Sequence, residues 1–592
     1  MANGICRARR ITISLAVIAI AAVVSVSWLA VRGRDATSTA SILASTITQL
    51  RSDVTKGDLT AVAGDITSLH SQAAHLHDLT GDPIWGLAAL LPGVGARASA
   101  ARTLGASADS IAAAAAPLAE LLPKFDKAAF ATSGGKFDVE ALTALAPVLE
   151  ALATNSEQAA QDLASINQVG LTAAQAEQVK QAREALSAAI PALRSASAAA
   201  PLIGTMLGSS KPHTWFIAME NLAEARGTGG LIGAYAILRT DAGKVSIVEA
   251  NSRKRLDSKK IPVGNLPAEF QDLWASDAAE WAGLNLSPHF PYTGQLIVNG
   301  WKAQGGGSLD GVVALDQRVV AALLAGTGPV SVRGVTVDST SAFTFLTKDI
   351  YAKFPVVADK DAVVVELLKA VFQRIASGQV SLAPLVKALK APVTQGDLLV
   401  YSVHKDEQAQ LARYSLAGIL PDQPGPFAMA VVNNGGGNKL DAYISVEMQY
   451  DGGTCTDSTR TSEISVIVHN SAPSHGLPSY VDLREDLPAG QNASAPKGST
   501  KVLLYIYGPV KAINALTTID GQQVSVSEGL ERGHPVWRVD LVLNSNQTRS
   551  VDLLMLETGK ALSLPPEPAT MTQPMSIPQK VSGRQGAACT AL

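Results

Sequence analysis

At 592 residues the chain exceeds what one hydrophobic core organises, and a composition of 47% apolar and 17% charged residues excludes a disordered chain. A net charge of −3 leaves no basic field to draw nucleic acid, and the three cysteines, Cys6, Cys455 and Cys589, lack the close pairing that zinc and redox sites use. Roughly three or four structural units are expected from the length.

The first element is the uncharged apolar run from Ile11 to Val31, ITISLAVIAIAAVVSVSWLAV, about the length a helix needs to cross hydrocarbon. Arg7, Arg9 and Arg10 before it favour a cytoplasmic N-terminus, although Arg32 and Arg34 follow on the other side. A cleaved signal peptide is the competing reading, but bulky Trp28 and Leu29 close the run where a small-residue cleavage site would sit. Residues 1–34 are therefore expected to form a cytoplasmic stub and transmembrane anchor, with the bulk of the chain outside the cytoplasm.

Residues 35–208 are rich in Ala, Leu, Gln, Ser and Glu, with apolar positions recurring at three- and four-residue spacing, which predicts a helical stalk or bundle. Pro83, Pro92, Pro123 and Pro147 are expected to mark turns or kinks. Over 209–420 strand-like stretches (HTWFIAM, GAYAILRT, GKVSIVEA, LDGVVALD, PVSVRGVTV) alternate with helix-like ones (VVAALLAG, AFTFLTKDIYAKF, AVVVELLKAVFQRIASG), the pattern of an α/β domain. Strands separated by Gly, Pro, Asn and Asp turns fill 421–563 and predict an antiparallel β-sandwich. Prolines repeated over 564–592 predict an extended tail. The fold class is thus multidomain α+β.

The densest chemical constellation is MENLAEARGTGGLIGAY, with Asn221, Glu224, Arg226, Thr228, Gly229, Gly230, Gly233 and Tyr235. It reads as a loop between two strands. Arginine forks onto phosphate or carboxylate oxygens, and glycines let backbone N–H groups approach an anion, although the phosphate-loop pattern with its Lys is absent. The alternative is an internal ion pair of Glu224 with Arg226 that pins a sharp turn. Arg253 and Arg255 in NSRKRL are further cations. Asp310 and Asp316 bracket an apolar strand; their side chains share a face but lie too far apart for a direct dyad, and strand-end turn residues are the favoured reading, since Asp before Gly is common turn chemistry. Neither GxSxG nor HExxH occurs, and the nine histidines are scattered.

These residues carry a resemblance. The order N-x-x-E-x-R-x-T-G-G-x-x-G-x-Y, S-P-H-F-P at Ser287 to Pro291, L-D-G-V-V-A-L-D at Leu309 to Asp316 and T-G-P-V at Thr327 to Val330 resembles the bacterial envelope family called domain of unknown function 4012. Further matching segments are D-x-Y-A-K-F at Asp349 to Phe354, Y-S-x-x-x-x-E-Q at Tyr401 to Gln408 and G-x-x-K-L-D-x-Y at Gly436 to Tyr443. The resemblance runs from about Thr80 to the C-terminus, and it departs from the family's usual acid at His289. More distantly, the anchor, the outside α/β domain and LDGVVALDQRVVAALLAGTGPVSV are similar to the LytR-CpsA-Psr domain, whose members transfer glycopolymers from a polyprenyl-pyrophosphate lipid to peptidoglycan. That likeness implies a phosphate-bearing or lipid-linked cell-wall glycopolymer as ligand, with Asn221, Arg226, Thr228, Gly229, Gly230, Arg253 and Arg255 binding it. Glu224 or Asp310 would then hold a divalent metal or act as a base if the polymer is also transferred. The rival expectation is a non-enzymatic envelope scaffold or adhesion protein. On the expected topology Cys455 and Cys589 share an oxidising compartment, and their even number predicts a disulfide.

Overall fold

The structure, a computed structural model, describes residues 34–81, 89, 95–126, 133–171, 173–456, 459–558 and 569–584. The apolar run at Ile11 to Val31, together with Pro83, Pro92, Cys6 and Cys589, lies outside the described residues. Two compact units are distinguished: Met1–His213 with Arg239–Ser246 and Phe372–Lys390, and Thr214–Leu238 with Ile247–Val371 and Ala391–Leu592. Helices and several β-sheets make the fold a mixed α+β one.

The first unit contains helices α1 (Arg34–Lys56), α2 (Leu59–Gly81), α3 (Gly95–Ala115), α4 (Val139–Ser165) and α5 (Ala173–Met206). Their apolar residues fall on one face each: Leu43, Ile47, Leu50 and Val54 of α1 are buried, as are Leu142, Leu145, Leu149 and Leu152 of α4. Asp138 starts α4 by accepting the Ala141 N–H at 2.9 Å. Pro147 lies inside α4, and Pro191 and Pro201 inside α5, while Pro123 falls in a short 3-10 turn, Leu122–Phe125. Among the described residues, one helical stretch, Val179–Met206 in α5, is long and apolar enough to cross a membrane. Its buried residues, among them Val179, Ala182, Leu186, Ala189 and Leu193, recur at helical spacing, and Arg194 pairs with Glu157 of α4 at 2.7 Å. That is the pattern of a core helix.

The second unit holds most of strands β1 (His213–Arg226), β2 (Gly229–Asp241) and β3 (Lys244–Ser252), and all of β4 (Gly311–Leu315), of a small hairpin, β5 (Val330–Val332) with β6 (Val335–Val337), and of β7 (Leu398–Ser402). The main sheet has the order β3-β2-β1-β4-β7, with β1 and β4 parallel from Trp215↔Gly311 to Met219↔Leu315 and β7 antiparallel to β4. All five residues of β4 are buried, as a central parallel strand requires. The chain also forms α6 (Ala268–Ala278), α7 (Phe290–Ala303), α8 (Gln317–Thr327), α9 (Val357–Ala376), α10 (Leu382–Gln395) and α11 (Lys405–Leu411), of which α7 packs on β4 and β7, α8 on β4 and α11 on β7.

The remaining strands are β8 (Phe427–Asn434), β9 (Ile444–Asp451), β10 (Cys455–Thr456), β11 (Thr459–Asn470), β12 (Thr500–Tyr507), β13 (Ile513–Ile519), β14 (Gln522–Gln523), β15 (Ser527–Glu531), β16 (His534–Leu543), β17 (Thr548–Thr558), β18 (Ala569–Met571) and β19 (Lys580–Arg584). They form one sheet ordered β15-β16-β12-β8-β18 and another ordered β14-β13-β17-β11-β9-β19, with β10 beside β11. Val432, Leu504 and Trp537 of the former share a buried cluster with Met448, Val466 and Leu553 of the latter. Met429, Val431, Tyr505 and Tyr507, from the same strands β8 and β12, join instead the cluster of Phe216, Ile232 and Phe290. The sheet is therefore covered on both faces, which explains why every residue of β8 is buried rather than alternate ones. Residues on both sides of the expected 420/421 boundary belong to this one unit. Two expectations are corrected. Asn221 to Arg226 is not a loop: β1 runs through it and only Gly227 and Thr228 turn the chain into β2. The proline-rich C-terminal stretch is tied into both sheets, through β18 on β8 and β19 on β9, with Met575 buried between them in sequence.

Candidate functional site

A cavity of about 330 Å³ opens beside the carboxyl ends of the parallel strands β1 and β4. Crevices at this end of parallel strands are where open α/β sheets bind ligands, because loops and helix starts converge there. Met219, Glu220, Asn221 and Glu224 of β1 line it, together with Gln317 at the start of α8 and Leu231 and Gly233 of β2. Arg253 and Lys254 follow β3, Lys360 and Asp361 lie in the first turns of α9, and Tyr351, Lys439, Tyr480 and Glu485 complete the wall.

Asn221 organises the polar floor. Its Nδ2 donates to Glu224 Oε1 and to the Tyr351 hydroxyl, both at 3.0 Å, and its Oδ1 accepts from Gln317 Nε2 at 2.9 Å. Burial pushes the Tyr351 phenol well above its ordinary value, with the Glu224 charge acting in the same direction, so it stays a neutral donor and acceptor. Lys439 Nζ stands 3.3 Å from Glu224 Oε2, and both side chains are 13% exposed. At the other end Asp361 takes two cations, Lys254 at 3.3 Å and Lys360 at 2.5 Å. Burial raises the Asp361 carboxyl, but the two lysines outweigh it and hold it below the usual range. Arg253 pairs with Asp257 at 2.5 Å.

Of the residues expected to bind, Asn221, Glu224 and Arg253 line this cavity, whereas Arg226, Thr228, Gly229, Gly230, Arg255 and Asp310 do not. Arg226 turns inward, Nε donating to the Ala282 carbonyl at 3.0 Å and a terminal nitrogen to the Ala225 carbonyl at 2.8 Å; burial lowers its pKa, partly opposed by Glu224 and Asp441. The expected Glu224–Arg226 ion pair is replaced by Glu224 with Lys439. Thr228, Gly229 and Gly230 close around Glu220: the Thr228 hydroxyl donates at 2.6 Å, Asn285 Nδ2 at 3.2 Å and the Gly230 N–H at 3.4 Å. Packing around Glu220 and Asn221 requires glycine at both positions. Gly229 has φ +145° with Glu220 Oε2 where a Cβ would lie, and a Cβ on Gly230 would strike the Asn221 carbonyl.

Asp310 accepts the Thr214 N–H at 2.8 Å and stands 2.8 Å from His404 Nε2. Asp316 caps α8 through the Arg318 and Val319 N–H groups, and Arg318 stands between it and buried Asp397, 3.4 Å from each. Burial and the adjacent Asp316 push Asp397 up to about 9, against the Arg318 charge, which acts to lower it. His289 accepts the Leu420 N–H at 3.1 Å, and burial lowers its pKa to about 3, which makes it a neutral structural imidazole. Among the described residues the acids lining the cavity form no three-ligand cluster of the kind a divalent ion needs, and the lysines beside them compete for the same carboxylate oxygens.

Missed from the sequence were Glu220, Gln317, Lys254, Tyr351, Lys360, Asp361, Lys439 and Tyr480. A usable signal existed for two of them, since Tyr351 and Lys439 stand inside the segments D-x-Y-A-K-F and G-x-x-K-L-D-x-Y. Residues 210–351 match DUF4012, a family described as a protein of unknown function. No curated protein and no solved structure matches the chain. The DUF4012 segment includes Asn221, Glu224, Arg253, Gln317 and Tyr351 of the cavity, while Lys360, Lys439 and Tyr480 come from chain beyond it.

Proposed function

We propose that this chain is a single-pass membrane-anchored envelope protein, held through residues 11–31 with its bulk extracytoplasmic, whose cavity binds the phosphate-bearing head of a lipid-linked cell-wall glycopolymer. The observation that carries this reading is the cavity itself. Four cations, Arg253, Lys254, Lys360 and Lys439, meet amides and phenols at the carboxyl ends of β1 and β4. Cations supply attraction for phosphate, and Asn221, Glu224 and Tyr351 offer the mixed donors and acceptors that sugar hydroxyls need. The two sheets that share the Val466–Leu504 cluster are read as the expected β-sandwich, and the helical unit as the stalk. Glu224 is the acid that a transfer step in the cavity would draw on, since Asp310 does not line it. A second reading, an envelope scaffold, is favoured by one feature: Lys439, Lys254 and Lys360 already have carboxylate partners inside the cavity.

The test is binding of a polyprenyl-phosphate-linked sugar to the full chain in detergent. Saturable binding is expected, weakened about tenfold by Lys439→Ala, the equivalent of roughly 1.4 kcal/mol. Arg226→Ala should leave the affinity within about twofold while lowering Tm, because it strips a buried charged donor from two carbonyls at a cost of about 1–3 kcal/mol. Absence of saturable binding, or a Lys439→Ala variant that binds as the parent does, would reject the glycopolymer reading in favour of the scaffold.

A further inference from the structure

The cavity lies at the carboxyl ends of β1 and β4, and a different set of side chains gathers at their amino ends. His213 is the first residue of β1, Asp310 immediately precedes β4, and His404 follows β7 by two residues. The three strands are neighbours in the order β1-β4-β7, and their backbones stay bonded at this edge: the Asp310 N–H donates to the Thr214 carbonyl at 2.8 Å, and the Val403 N–H donates to the Asp310 carbonyl at 3.0 Å. Thr214 thus brings its neighbour His213 to Asp310 from one side, and Val403 brings His404 from the other. One ligand atom from each of the three lies within 4.8 Å of the other two.

Each of the three is oriented from behind. His213 is fully buried, and its Nδ1 stands 3.0 Å from the Lys211 carbonyl. A carbonyl only accepts, so in the neutral ring Nδ1 carries the proton and Nε2 the lone pair. The Thr214 N–H donates to Asp310 Oδ2 at 2.8 Å, while Oδ1 stands 2.8 Å from His404 Nε2. Backbone partners of this kind fix the direction of ligating imidazoles and carboxylates and strengthen metal binding. The His404 and Asp310 side chains are 30% and 21% exposed, so an ion can enter from solvent and water can complete its shell.

We propose that His213, Asp310 and His404 bind a divalent ion of the zinc class, which clamps the amino ends of β1 and β4 to the carboxyl end of β7. Two imidazoles and one carboxylate, with a position left for water, are a zinc donor set, whereas Mg²⁺ and Ca²⁺ take shells of oxygen. Neighbouring ligand atoms around a tetrahedral zinc stand about 3.3 Å apart, its bonds being about 2.0–2.1 Å. The His404–Asp310 contact opens by about 0.5 Å to reach that spacing, the ion taking the place of the proton between them and His404 adopting its Nδ1–H tautomer. The proposal holds whether or not the cavity at the opposite strand ends binds a glycopolymer.

The full chain in detergent, freed of metal by a chelator, should take up one Zn²⁺ with a Kd of about 1 μM or below, and Ca²⁺ or Mg²⁺ at least about a hundredfold more weakly. Saturating Zn²⁺ should raise Tm by several degrees, because only the folded chain assembles the site. His404→Ala alters a partly exposed side chain, so its Tm in chelator should match the parent's, while its Zn²⁺ affinity falls at least about a hundredfold. Asp310→Asn keeps an acceptor for the Thr214 N–H and should lose affinity likewise, which decides the matter if His404→Ala folds poorly. Absence of Zn²⁺ uptake by the parent, Ca²⁺ binding as tight as Zn²⁺, or parental Zn²⁺ affinity in the variants overturns the site.

Discussion

Burial raises the Glu220 carboxyl from its ordinary value to about 7, against the donors Thr228, Gly230 and Asn285, which act to lower it. The folded value lies above the unfolded one, so the stability this group contributes is fully present below the ordinary carboxyl range and is lost as pH rises through about 7. His289 works in the opposite sense. Burial, and then Arg532, push it to about 3, so its contribution is present above the ordinary imidazole value and is lost as pH falls towards about 3. The two effects overlap in mild acid, and a single melting curve would not separate them. Glu220→Gln keeps the shape and the acceptor but cannot ionise. Its Tm relative to the parent should therefore rise by a few degrees between about pH 5 and about pH 8, at roughly 2–4 °C per kcal/mol for a unit of this size. Thermal melts of both proteins across that range decide the matter: parallel curves would mean that Glu220 is not buried in its protonated form.

The elements differ in how far their own residues determine them. Helices α1 to α5 were legible because each repeats its apolar face locally, and β4 because five apolar residues stand between two aspartates. Asn221 to Arg226 was misread as a loop for a physical reason. Polar and charged residues in a strand need partners, and theirs come from far along the chain: Lys439 for Glu224, Tyr351 and Gln317 for Asn221, and Asp441 for the Ala225 N–H at 2.7 Å. For the same reason Asn221, Glu224 and Arg253 were found as site residues while Lys360, Asp361 and Lys439 were not. The C-terminal stretch misled through its prolines, which cannot donate to a sheet, yet β18 and β19 occupy proline-free pieces between them. Gln573 makes this stretch a clasp: its Nε2 donates to the carbonyls of Arg226 and Val432, at 2.5 and 2.7 Å, and its Oε1 accepts the Val432 N–H at 2.7 Å. Gln573→Ala leaves those backbone groups buried and unpaired, which should cost about 2–4 kcal/mol. The loss should appear in the β-rich unit, followed by tryptophan fluorescence in denaturant; an unchanged midpoint would show that the stretch merely rests on the sheets.

At the scale of the whole molecule the anchor and the cysteines make one argument. If residues 11–31 cross the membrane with the bulk outside, Cys455 and Cys589 meet an oxidising compartment and Cys6 does not. Cys589 lies outside the described residues, which end at Arg584. Strand β19 runs parallel to β9 up to Arg584↔Asp451, where Arg584 forms an ion pair with Asp451 at 2.5 Å and its carbonyl accepts the Gly452 N–H at 3.0 Å. From that shared end Cys455 follows Asp451 by four residues and Cys589 follows Arg584 by five. Extended chain covers roughly 3.3–3.6 Å per residue, so reach does not limit the pairing. A bond there would close a loop of more than a hundred residues around β10 to β19, worth about 4–5 kcal/mol in the chain-entropy account. We expect the full chain, isolated from its membrane without reductant and alkylated in denaturant, to show one reactive thiol, Cys6, and to show three after reduction. The reduced protein should lose stability in the β-rich unit and keep that of the helical one. Three alkylatable thiols before reduction would sink the disulfide, and if added protease also failed to reach the β-rich unit in intact protoplasts, the outside topology would fall with it.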